Sequence, residues 1–87
     1  MHEFGLMRDL VRVVEERGRE AGAERVVSIT LCVGALAAVD TEHLRAHFVE
    51  AARGTIAAGA SLHFAETTDL WGPDAQGIVL QALEVSS

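Results

Sequence analysis

The segment Val26 to Val33, Val-Val-Ser-Ile-Thr-Leu-Cys-Val, limits the folds open to this chain more than any other feature. β-Branched residues dominate it, and Val27, Ile29, Leu31 and Val33 alternate with Val26, Ser28, Thr30 and Cys32, which predicts a strand with one firmly buried face. Gly34 marks its end. Helical periodicity flanks it on both sides. Between Gly5 and Ala21 the side chains Leu6, Met7, Leu10, Val13 and Val14 recur at helical spacing, with Arg8, Asp9, Arg12, Glu15, Glu16 and Arg19 on the other face. Gly22 is placed to end that helix as a left-handed cap. Asp40 is a good N-cap for a second helix reaching about Arg53, with Leu44, Phe48, Ala51 and Ala52 as its apolar stripe and Gly54 as its stop.

Further on, Leu62 and Phe64 alternate with His63 and Ala65 to predict a short strand ending near Thr67. Residues 69–77, which contain Trp71-Gly72-Pro73-Asp74, read as a turn-rich connector. The last strand runs from Ile78 to Val85. Its apolar phase, Ile78 and Leu80 then Leu83 and Val85, slips by one residue near Gln81-Ala82, and a β-bulge there restores both pairs to one face. The order helix, strand, helix, strand, strand predicts an α+β, two-layer fold: a three-stranded antiparallel sheet with two helices on one face. The short connector predicts that the last two strands form a hairpin. The expected spatial order is first, third, second strand.

Composition bounds the function. At 87 residues the chain fits a single domain, residues 1–87, and excludes a multidomain enzyme with separate lobes. A domain of this size buries only ~60 to 65% of its unfolded surface, so a homo-oligomer or a docking partner is expected. The seven basic residues are all Arg and face 13 acidic ones, a net charge of -6, which argues against nucleic acid as partner. One cysteine, Cys32, permits neither an intramolecular disulfide nor a multi-thiolate metal site, and the chain reads as cytoplasmic. No apolar run approaches the ~18 residues of a membrane span, and the charges within residues 1–25 argue against a signal peptide, so Met1 is read as the working N-terminus. No Ser/His/Asp grouping, readable carboxylate pair or phosphate-binding glycine loop stands out, so an enzyme is not expected.

The most specific chemical feature is Met1-His2-Glu3. A free amine, a deprotonated amide and an imidazole at position 2 can close two small chelate rings on one metal, and planar nitrogen ligation suits Ni(II) or Cu(II). The fourth position would stay open, as a protein that hands a metal onward requires. On three residues alone, a solvated His2 ahead of the first helix is the simpler reading.

The pattern as a whole, however, resembles the HypA family of hydrogenase and urease maturation nickel metallochaperones. The resemblance rests on Met1-His2-Glu3-Phe4-Gly5-Leu6 directly before a helix, and on the strand Arg25 to Val33 running into Gly34-Ala35-Leu36. It continues through Val39-Asp40, Leu44, Phe48, Ala52-Arg53-Gly54-Thr55, Gly59-Ala60 and a strand ending near Glu66. It implies nickel(II) bound by the His2 side chain and the backbone nitrogens of residues 1 to 3, with Glu3 adjacent and assisting. It also implies a HypB-like GTPase partner and delivery to a [NiFe] hydrogenase large-subunit precursor or into urease maturation. Family members insert a zinc domain with two Cys-x-x-Cys pairs between the last two strands. Here residues 69–77 stand in its place without a cysteine, so no zinc is expected.

Other candidates are weaker. His43 and His47, four apart on the second helix with Glu50 nearby, form a secondary metal candidate, against the simpler reading of a solvated helix face. His63 alternates away from Leu62 and Phe64 toward the outer sheet face. Cys32 reads as a small buried hydrophobe. Trp71 is either a lid over the sheet end or part of a partner surface. A competing reading from a different class is a zinc-less relative that works as an interaction module through its sheet edge, Trp71 and acidic surface.

Overall fold

The computed structural model describes residues 3–66 and 77–86. Its elements are α1 (Glu3–Glu20), β1 (Arg25–Val33), α2 (Thr41–Ala52), β2 (Ser61–Glu66) and β3 (Ile78–Ser86). Helix α1 is amphipathic as its spacing predicts, but the buried stripe is Met7, Val11 and Val14. Leu6 and Leu10 are half-buried, and Val13 faces solvent. Gly22, at φ 71°, closes the helix. The Ala23 N–H donates to Gly18 O and the Gly22 N–H to Arg19 O, both at 2.9 Å, the paired bonds of a left-handed glycine cap.

Helix α2 starts where Asp40 predicts. The Asp40 carboxylate accepts from the N–H groups of Glu42 at 3.0 Å and His43 at 3.4 Å, satisfying two of the first-turn donors that lack an intrahelical partner. Leu44, Phe48 and Ala52 of α2 meet Met7, Val11 and Val14 of α1 over Val26, Ile29 and Leu31 of β1 and Leu62 of β2, and this is the core. Both helices lie on one face of the three-stranded sheet.

The sheet is mixed where an antiparallel one was expected, and its order is β2-β1-β3, with β1 in the middle instead of β3. β2 runs parallel to β1 from Ser28↔Ser61 to Val33↔Glu66, whereas β3 is antiparallel to β1. The reason is the crossover. An α2 of 12 residues is about 18 Å long, enough to carry the chain back along one strand length, so β1-α2-β2 closes as a parallel unit. β2 and β3 then occupy opposite edges, and no hairpin joins them.

The expected bulge in β3 is present. Thr30 pairs with Ala82 and Leu31 with Leu80, so Gln81 is the extra residue, and Ile78, Leu80 and Leu83 all pack against the core. A second register shift between Val26 and Ser28 was not anticipated. It reverses the predicted face at the start of β1: Val26 is buried and Val27 is 49% exposed.

Candidate metal centre

Of the three residues expected to form an N-terminal site, the structure describes the backbone of Glu3 alone. Met1 and His2 lie outside the described residues, and Glu3 opens the helix. In any α-helix the N–H groups of the first turn have no carbonyl four residues back. The helix itself is anchored close by, because Met7 is 1% exposed within the core. Beside these first turns a small apolar groove of about 150 Å³ is lined by Leu6, Leu10 and Val13 of α1 and by Leu31, Ile78 and Leu80 of the sheet, with Asp9 at its rim.

His43 and His47 come together on α2 as their spacing predicts. Their rings stack with centroids 6.1 Å apart and planes 12° from parallel. The His43 Nδ1 lies 3.8 Å from Asp40 Oδ2, and Glu50 is paired with Arg53 at 3.1 Å. Among the described residues, no three His, Cys, Asp or Glu side chains converge in a way that could hold a metal ion.

His63 is exposed on the outer sheet face, opposite Thr30. Cys32 is half-buried, not buried as its apolar neighbours suggested. It lies between Ala65 and Val79 in the sheet register, on the face that neither helix covers. Trp71 and most of the 69–77 connector fall outside the described residues.

Two polar contacts escaped the sequence reading. The Ser28 hydroxyl, 7% exposed, donates to Glu84 Oε1 at 2.6 Å across the β1-β3 pair. Arg45 of α2 donates through Nη1 to the Leu62 carbonyl, and its guanidinium lies 5.2 Å from the centre of the Phe64 ring. Neither has a periodicity signal, because each depends on which strands are neighbours. Arg45 lines a second groove of about 570 Å³ with Thr41, Phe48, Val49, Phe64 and Glu66. Among the described residues no helix is long and apolar enough to cross a membrane.

Comparison with known proteins agrees with this architecture. The family profile described as hydrogenase/urease nickel incorporation, metallochaperone, hypA matches residues 1–71. The hydrogenase maturation factor HypA of Chlorobaculum tepidum is 44% identical over 62 residues, which are 71% of this chain and 55% of that protein. The factor of the same name from Klebsiella pneumoniae is 39% identical over 66 residues, 76% of this chain and 58% of that protein. The chain thus spans a little over half the length of these curated relatives. The solution structure of the Ni metallochaperone HypA from Helicobacter pylori superposes with a TM-score of 0.84, covering 100% of this chain and 99% of that one at 15% identity, which establishes a common fold. With a family match over residues 1–71 and relatives at about 40% identity, the chain belongs to the HypA family of nickel metallochaperones.

Proposed function

We propose that this chain is a non-catalytic nickel carrier for hydrogenase maturation that holds Ni(II) at Met1-His2-Glu3 and passes it on. His2 supplies the imidazole, the backbone nitrogens of Met1 and His2 close the two chelate rings, and Glu3 supports them from the adjacent position. The observation that supports the reading is the family match over residues 1–71, which includes Met1-His2-Glu3. Amides at a helix start are not spent on intrahelical bonds, so those beside His2 can give up their protons to a metal without costing the helix a hydrogen bond. Such a site releases protons from the amine, the amide and the imidazolium on loading, so its affinity falls as pH drops.

A HypB-like GTPase would load or hold nickel with this chain, and a [NiFe] hydrogenase large-subunit precursor, or a urease system, would receive it, all in the cytoplasm. The single cysteine cannot furnish two Cys-x-x-Cys pairs, so residues 1–87 act as one nickel domain in which residues 69–77 replace the zinc insertion. The stacked His43-His47 pair is at most a secondary, weaker metal position on this reading.

The test is a nickel titration of His2→Ala, with circular dichroism to follow the fold. The expected outcome is loss of tight binding with an unchanged helix and sheet spectrum. Unchanged affinity would sink the assignment.

A further inference from the structure

We propose, resting on the amino-terminal nickel reading, that His43 of α2 supplies the fourth nitrogen of that site as a detachable ligand from outside the chelate. The amine, the amide and the His2 imidazole take three positions of a planar set. A second imidazole completes four nitrogens of the kind that Ni(II) takes in a square plane. Besides His2 the chain has His43, His47 and His63. His63 is on the outer sheet face, away from both helices, whereas helix packing brings His43 and His47 to the end of the molecule where α1 begins.

The two helices run the same way. A Cβ on Gly18, near the end of α1, would come within 2.9 Å of Ile56 Cδ1, just beyond the end of α2, so their C-terminal ends adjoin. Further back, Arg8, Arg12 and Glu15 of α1 share one groove with Ala51 and Thr55, and Arg8 and Ala51 are its first residues on each helix. Stepping back from Ala51 by four and by eight residues along the same side of α2 leads to His47 and His43. At a rise of 1.5 Å per residue, His47 lies about 6 Å and His43 about 12 Å before Ala51, while Glu3 lies about 7.5 Å before Arg8. Glu3 therefore falls level with His47. The two residues ahead of it, at up to ~3.6 Å each, can extend to the level of His43.

The surroundings of His43 suit a ligand that comes and goes. Its side chain is 69% exposed, so it can meet a metal and leave it without disturbing the core. Its ring stacks on His47, which limits its orientations. Its Nδ1 lies 3.8 Å from Asp40 Oδ2, and a carboxylate on that side favours the proton there and leaves Nε2 for the metal. His47 is half-buried with Nδ1 shielded from solvent, so it serves as the support for His43 and not as the ligand. A single imidazole from another element is displaced more readily than a chelate ring, so a receiving protein can open the site by replacing His43 first.

The experiment loads the full chain, with a free Met1 amine, with nickel(II) alone and compares wild type with His2→Ala, His43→Ala and His47→Ala. Calorimetry reads affinity and stoichiometry, X-ray absorption at the nickel edge counts the imidazoles on the metal, and circular dichroism follows the fold. The wild type should bind one nickel with two imidazoles. His43→Ala should keep the fold, retain one imidazole and bind about tenfold or more weakly, and added free imidazole should restore the second. His47→Ala should still show two. If His2→Ala loses tight binding while His43→Ala matches the wild type in affinity and imidazole count, the role of His43 is overturned and the amino-terminal site stands. A second imidazole lost in His47→Ala and kept in His43→Ala would likewise overturn it. Binding indifferent to His2→Ala would overturn both readings.

Discussion

Asp40 and Gly54 bracket α2, and each acts through backbone geometry that its residue type makes predictable. The Asp40 carboxylate satisfies two first-turn amides, so Asp40→Ala should lower stability by about 1 kcal/mol and Asp40→Ser by much less, read from the denaturation midpoint. Gly54 has φ 78° with open space where a Cβ would stand. Gly54→Ala should therefore cost about 1 to 2 kcal/mol of backbone strain with no packing term, and Gly54→Asn less. Both positions were readable because capping is local chemistry. Val27 and Cys32 were misread for the opposite reason. Alternation alone could not show that a bulge turns Val27 to solvent, or that no layer covers the sheet face on which Cys32 lies.

The elements themselves were readable from their periodicity, each starting and ending within a residue or two of expectation. The β3 slip predicted its bulge because Ile78, Leu80 and Leu83 can reach one core only if Gln81 is skipped. Deleting Gln81 should accordingly cost about 2 to 3 kcal/mol, since either the first two side chains or Leu83 must turn outward, whereas Gln81→Ala should be nearly neutral. Urea denaturation of the two variants checks this directly. Strand order was not readable in the same way. A short connector between β2 and β3 suggested a hairpin, but the decisive fact is that α2 returns the chain along β1, and that depends on packing Leu44 and Phe48 against Met7 and Val14. With β1 central, β2 lies at one side of the sheet, where Arg45 reaches the Leu62 carbonyl.

At the scale of the chain as a whole, one small core holds both layers together. Phe48 is 2% exposed at its centre. Phe48→Ala should cost about 3 to 5 kcal/mol, a large share of the ~5 to 15 kcal/mol available to such a domain, and should lower the thermal midpoint accordingly. That core also fixes α1, whose first turn adjoins the proposed nickel site, so the scaffold does not depend on the metal. Helix and sheet content should be the same with and without nickel. The family was readable only through the order of motifs along the chain, since for Met1-His2-Glu3 alone a solvated terminus is the simpler reading. The most direct measurement is calorimetric nickel titration of the chain with a free Met1 amine, beside a version carrying one additional residue before Met1 and otherwise identical. Because the extension keeps His2 and Glu3 but removes the amine from its chelate ring, tight binding by the first and its loss in the second is the predicted result. Equal binding by both would contradict a nickel site built on the amino terminus.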